Sequence, residues 1–184
     1  MSEESADGYA VFGTALGQCG ISWNHVGITG VAWPEHDAGS VRARIGTSHP
    51  GAVEADPPPG VRLAMDAVTA LLRDGTADFA GVALDLDGVP DFYLRVYEIT
   101  SAIPPGSTLT YGEIAGRLGM PGSSRAVGQA LGRNPVPIIV PCHRVLAADG
   151  RIGGFSAPGG VSSKHKLLDI ERARSGSTPT LFDL

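Results

Sequence analysis

The residues at 134–145 read Asn134-Pro135-Val136-Pro137-Ile138-Ile139-Val140-Pro141-Cys142-His143-Arg144-Val145. They place a thiol, an imidazole and a guanidinium side by side in an otherwise apolar, proline-bracketed stretch. Proline fixes φ and removes amide donors, so the backbone around Cys142 is stiff. A basic or cationic neighbour favours the thiolate, which is the nucleophile; a free thiol with pKa near ~8.5 is only a few per cent ionised at neutral pH. On composition alone the default reading of such a residue is an inert buried thiol. A Cys-His hydrolase would also use such a thiol, but a directly adjacent His cannot easily reach its own neighbour's sulfur, which weighs against it.

The elements that must position this run fall into two parts. Three β-type stretches come first, Tyr9–Ala15, Ile21–His25 and Gly27–Trp33, punctuated by Gly17, Gly20 and Gly27. Residues 34–60 read as a loop with one further strand near Val41–Ile45. A helix from Val61 to Arg73 follows, with Val61, Ala64, Met65, Val68, Leu71 and Leu72 on one face, and Asp74-Gly75 stops it. Val82–Leu86 reads as a buried strand.

The second part is helical. Pro90–Ala102 turns Phe92, Val96 and Ile99 inward. Thr110 and Glu113 form a capping box opening a helix to Leu118. Ser123 or Ser124 caps another helix, to Arg133. Two short helices around a Gly-containing turn fit helix-turn-helix or a plain helical hairpin equally well. The expected fold class is α+β: a small N-terminal antiparallel sheet with one helix (1–88), a C-terminal helical, winged-helix-like domain (89–174) and a flexible tail (175–184).

Composition limits the function classes. The chain has 184 residues, 42% of them hydrophobic and 18% charged, an ordinary globular balance. No apolar run approaches the roughly 20 residues that span a bilayer, and the acidic N-terminus is unlike a secretory signal. With only two cysteines a disulfide framework is not expected, and a reducing cytoplasm is. The net charge of −5 hides an asymmetry: residues 1–110 carry 5 Arg against 14 acidic groups, and residues 111–174 carry 9 Lys+Arg against 4. The basic third is where a polyanion would dock, although both charge sets could equally serve only to solvate the surface.

Pro141-Cys142-His143-Arg144-Val145 resembles the active-site signature of the methylated-DNA–protein-cysteine methyltransferases. The resemblance extends upstream through Ile103-Pro104-x-Gly106, Thr110-Tyr111-Gly112-x-Ile114-Ala115, Arg125-Ala126-Val127-Gly128 and Asn134-Pro135. Downstream it takes in Asp149-Gly150, Gly153-Gly154-Phe155, Gly159-Gly160, Lys164 and Leu167-Leu168-x-x-Glu171. It covers residues 92–171; the N-terminal third matches only in general character. It implies that Cys142 accepts an alkyl group from guanine. His143 would take the thiol proton through a bound water and Glu171 would orient His143, a triad with a water inserted. Asn134 would brace the turn, and Tyr111 would hydrogen-bond the flipped guanine. Arg125 would fill the hole left in the base stack. Ala126, Val127, Gly128 and Arg133 would join Arg125 and Tyr111 on the DNA-facing surface. Val145, Phe155, Ser156, Lys164 and Leu131 would line the base pocket.

Elementary chemistry agrees with that reading. A base must leave the duplex before its alkyl carbon can be attacked, and displacement needs an in-line thiolate and a donor for the departing base. No cofactor or metal is needed, and a thioether product implies one turnover per molecule. The small residues of the second helix permit close backbone approach, in agreement with the minor-groove docking that the resemblance implies. A lesion sensor without transfer would leave Cys142, His143 and Glu171 idle. The chain departs from the family pattern at Ala157-Pro158, which lengthens the pocket loop, at Phe155, where Tyr is frequent, and at Tyr93, where Gln is. Cys19, His25, His36 and His49 lack zinc-ligand spacing, so no metal is expected. The tail, polar and then Leu181-Phe182-Asp183-Leu184, is a candidate motif for a replication sliding clamp. A monomer with no membrane contact is expected.

Overall fold

The computed structural model describes residues 7–76, 78–152 and 160–175. Strands β1 (Gly8–Thr14), β2 (Gly17–Trp23) and β3 (Ile28–Glu35) form an antiparallel meander, and β4 (Val53–Glu54) adds to the free edge of β1 in parallel, giving the order β3-β2-β1-β4. Gly17 closes the β1–β2 turn with φ 130, where a Cβ would lie 2.4 Å from the Glu35 carbonyl oxygen. That combination leaves no other residue type.

Residues 38–48, expected as loop and strand, are helix α1 (Ala38–Ser48). Asp37 caps it by accepting the Ser40 N–H, and Val41 and Ile45, four residues apart, bury one face against Ala32, Tyr9 and Val11. The β-branched residues suggested a strand, but their spacing and the cap are helical. The N-terminal part therefore has two helices rather than one, and its sheet is mixed at the β4 edge. Helix α2 (Pro59–Asp74) follows the expected apolar face, and Gly75 at φ 76 ends it with its N–H on Leu71 O.

The stretch Val82–Leu86 forms no strand. A single parallel bridge joins Leu84 to Ile28, with Asp85 N–H on Ile28 O at 2.8 Å and the Asn24 amide on Asp85 at 2.6 Å. Left-handed glycines at 81 and 88 bracket the stretch and leave it too short to extend a ladder.

Helix α3 (Asp91–Ser101) buries Val96, Tyr97 and Thr100, and the Tyr97 hydroxyl donates to Ala130 O at 2.8 Å. The two-residue strands β5 (Leu109–Thr110) and β6 (Val145–Leu146) pair in parallel. Helix α4 (Tyr111–Arg117) opens with the expected Thr110–Glu113 capping box. Helix α5 (Ser124–Gly132) begins at Ser123, whose side chain makes no capping bond. Helix α6 (Gly160–Ser175) closes the described chain. One buried cluster runs from Ala10 and Trp33 through Val96 and Val127 to Cys142 and Leu167, so both parts share a core. Among the described residues no helix is long and apolar enough to cross a membrane.

Candidate active site

Side-chain bonds, rather than regular structure, shape the turn that carries the thiol. Asn134 donates its Nδ2 to Val140 O at 2.9 Å and accepts the Val136 N–H at 3.0 Å. The N-terminal sheet reaches across to it, with Val31 N–H on Pro135 O at 2.9 Å. Ile138, wholly buried, is held at φ 76, a left-handed conformation unfavourable for a β-branched residue. Cys142 N–H donates to Val140 O at 2.8 Å, and Cys142–Arg144 then forms a 3-10 turn whose end places Val145 N–H on Cys142 O.

His143 is wholly buried, and its Nε2 meets Glu171 Oε1, from α6, at 2.7 Å. Arg144 binds the same carboxylate from the other side, Nη2 to Oε1 at 2.8 Å and Nε to Oε2 at 3.1 Å, and donates Nη1 to Ile103 O at 2.6 Å. Burial alone would raise the Glu171 pKa, but the bonds from His143 and Arg144 outweigh it and hold the group at about 2, so it is a carboxylate. Burial pushes the His143 pKa below its ordinary value; Glu171 opposes this, and Arg144 and Lys164 add to it. The imidazole is then neutral with its proton on Nε2 facing Glu171. Its Nδ1 lone pair is buried and has no hydrogen-bond partner among the described residues.

The Cys142 thiol is also pushed up by burial, against the opposing effects of the Asn134 side chain, the Lys164 charge and the nearby backbone N–H groups. The cation that favours the thiolate is Lys164, from α6, and not the adjacent Arg144. Arg144 is bound to Glu171 instead, and the resting thiol keeps its proton.

Cys142 opens onto a cavity of about 370 Å³ whose wall includes Tyr111, Leu131, Asn134 and Lys164. Burial, and then the proximity of Cys142, raises the Tyr111 pKa, so its hydroxyl remains a donor. A Cβ at Gly128 would meet the Tyr111 ring at 3.9 Å, an ordinary van der Waals contact, so α5 passes directly beside that ring. Lys164 is 1% exposed, its pKa lowered to about 8 by burial, and its Nζ donates to Val145 O at 2.6 Å. Val145 itself is wholly buried, and its N–H and carbonyl are bonded to Cys142 O and Lys164 Nζ.

On α5, Arg125 and Gln129 are exposed, as is Arg133 at its end, and Ala126 and Gly128 are half-buried. Val127 is wholly buried, which corrects its assignment to the DNA-facing surface: 127, 130 and 131 share the face that packs on the core. Arg144 and Lys164, counted in the basic third, are buried too and do not face solvent. Phe155, Ser156, the Ala157-Pro158 insertion and the residues of the tail from 176 onward lie outside the described residues. Among the described residues no three His, Cys, Asp or Glu side chains converge as a metal site would require.

Trp33 and His49 line the same cavity from the N-terminal part, a placement that sequence reasoning missed, having weighed His49 only as a zinc ligand. Nor did that reasoning show that Arg144 pairs with Glu171. All three are contacts between residues far apart in the chain.

Residues 91–173 match the family model described as the 6-O-methylguanine DNA methyltransferase DNA-binding domain. A methylated-DNA–protein-cysteine methyltransferase of Mycobacterium tuberculosis is 44% identical over 138 residues, 74% of this chain and 81% of that protein. The crystal structure of the M. tuberculosis OGT in complex with DNA superposes with a TM-score of 0.73 at 34% identity, covering 90% of this chain and 93% of that one. The O6-methylguanine-DNA methyltransferase of Pyrococcus kodakaraensis does so with a TM-score of 0.69 at 32% identity, covering 89% and 98%. With this identity, this coverage and a buried Cys-His-Glu set at the expected positions, the chain belongs to the methylated-DNA–protein-cysteine methyltransferase family.

Proposed function

We infer that the protein repairs DNA by transferring an alkyl group from O6 of guanine to Cys142, once per molecule. The observation that carries this reading is the buried His143, bonded to Glu171 through Nε2 and with no partner at Nδ1 among the described residues, next in the chain to a thiol that opens onto a cavity of about 370 Å³. His143 takes the thiol proton through an intervening water. The thiolate attacks the alkyl carbon, a C–S bond forms and the C–O6 bond breaks. The electron pair goes to guanine, which Tyr111 assists by donating a hydrogen bond as charge builds on the ring. The thioether has no route back to thiol, so each molecule acts once. Neither metal nor cofactor has a part in this sequence.

DNA is the partner. We assign α5 to the minor groove, with Arg125 entering the space of the flipped nucleotide and Ala126 and Gly128 permitting close approach. Arg133 contributes charge at the rim, Leu131 and Lys164 the wall of the base pocket, and Phe155 and Ser156 its loop. On this reading residues 1–88 support and residues 89–174 act, as a monomer in a reducing cytoplasm. A sliding clamp taken by Leu181-Phe182 is a further proposal, which unchanged clamp binding by a chain ending at Gly176 would remove.

The test is intact-protein mass after mixing with a duplex carrying one 6-O-methylguanine, followed by peptide mapping. Gain of one methylene on the peptide holding Cys142, saturating at one per protein, is expected. Tight lesion binding with no gain would point instead to a sensor.

A further inference from the structure

Among the described residues of its own half of the molecule, the base of the proposed reaction is hydrogen-bonded through its ring from one direction. Glu171 fixes Nε2 of His143, but rotation about Cβ–Cγ displaces Nε2 less than Nδ1. A single bond at Nε2 therefore leaves play in where the Nδ1 lone pair points. The second constraint comes from the N-terminal sheet. Trp33, on β3 and 5% exposed, meets the His143 ring with centroids 6.4 Å apart and planes at 88°. In such an edge arrangement the electropositive rim of one ring faces the electron-rich face of the other, which favours one ring plane over its neighbours. Trp33 also lines the cavity into which Cys142 opens. The strand that carries it is tied to the thiol's own turn by the Val31–Pro135 hydrogen bond.

We propose that Trp33 is a positioning residue for alkyl transfer, walling the His143 imidazole so that Nδ1 stays turned toward Cys142 and shielded from bulk water. The N-terminal part then acts in the chemistry as well as supporting the fold. The inference rests on the alkyl-transfer reading above. Among the described residues, the charged groups acting on His143 are Glu171 and Lys164 from α6 and Arg144 from its own turn, with Cys142 next to it in the chain. None of them supplies an apolar wall; Trp33 does. Removing the indole admits water to the imidazole and weakens the burial that keeps it neutral. A base that protonates more readily is lost at a higher pH.

The experiment measures single-turnover methyl transfer against pH for the full chain at saturating duplex, alongside NMR titration of the His143 ring. It compares the native protein with Trp33→Ala and Trp33→Phe. In Trp33→Ala the acid limb of the profile and the ring titration are expected to move up together by about one pH unit. Transfer should then fall severalfold near neutrality and below, with a smaller change on the alkaline plateau. Trp33→Phe should restore most of the native profile. If Trp33→Ala does not fold, Trp33→Leu, which keeps apolar bulk without a ring, takes its place with the same expected direction. A limb and a titration that stay put, or an equal loss at every pH that Phe does not rescue, would overturn the proposal. Native protein that transfers nothing would instead overturn the function reading, and the ring titration separates the two failures.

Discussion

Cys19 and Cys142 are both free and buried, yet their surroundings assign them opposite properties. Cys19 lies in the middle of β2, wholly enclosed, with the Thr14 hydroxyl as its hydrogen-bond partner, and burial drives its pKa to about 12. It packs as a small hydrophobe. Cys142 is pushed up by burial as well, but Asn134, the Lys164 charge and two backbone N–H groups act against that, and it opens onto a cavity. Burial alone therefore does not distinguish a structural thiol from a reactive one. The distinction lies in what is within reach to stabilise the anion and take the proton, and around Cys142 that is a neutral imidazole backed by a carboxylate.

The sharpest test of the contrast exchanges the sulfur at each position. Cys142→Ser should abolish transfer while keeping lesion binding, because a neutral hydroxyl is a poor nucleophile here. Cys19→Ser should transfer at the native rate and lose about 1–3 kcal/mol of stability, from a hydroxyl placed in an apolar core. Denaturant titration and intact mass read the two effects. Loss of transfer in a folded Cys19→Ser would end the distinction.

Next in size is Glu171→Gln, which leaves the buried Arg144 guanidinium without its charge partner. A loss of about 3–5 kcal/mol is expected, with transfer reduced because His143 is no longer oriented. A thermal melt showing native stability would mean that the Arg144–Glu171 pair is not formed in solution.

Acid should weaken the Cys142 region before the Cys19 region. Glu171 is held at about 2 in the fold, so its stabilisation is present above the ordinary carboxylate range and is lost as pH falls from about 4.5 toward 2. The depressed pKa of His143 acts in the same sense and starts earlier: below about 6.5 the unfolded chain binds a proton that the folded one resists. Amide exchange that opens first in β1–β2 on acidification would contradict this.

The smallest expected effect is Asn134→Ala. It removes both turn bonds and one group favouring the Cys142 anion, at about 1–3 kcal/mol. A thiol reagent should then lose much of its preference for Cys142 over Cys19. An undiminished preference would show that Ile138 and the prolines hold the turn unaided.

Much of this was legible because it is local. The capping box at Thr110–Glu113, the α2 face, the β1–β3 stretches and the proline-bracketed cysteine are short-range patterns. The resemblance supplied the pairing of His143 with Glu171, 28 residues apart. The misreadings were local as well, but turned on competing signals: β-branched Val41 and Ile45 belong to a capped helix, and Val82–Leu86 is confined by two left-handed glycines. Val127 was placed by its neighbourhood in the motif, whereas helical periodicity turns it inward.

By itself, the sequence carried the proline-bracketed cysteine and the motifs of the family, and through that resemblance the candidate nucleophile, because these reside in residue types at fixed spacing. Only the tertiary structure decided that Arg144 neutralises Glu171 instead of ionising Cys142, and that Lys164 binds the Val145 carbonyl. It also decided that Trp33, from a strand more than a hundred residues upstream, lies against the His143 ring. Those outcomes depend on which distant groups share one desolvated volume, and no local pattern encodes that.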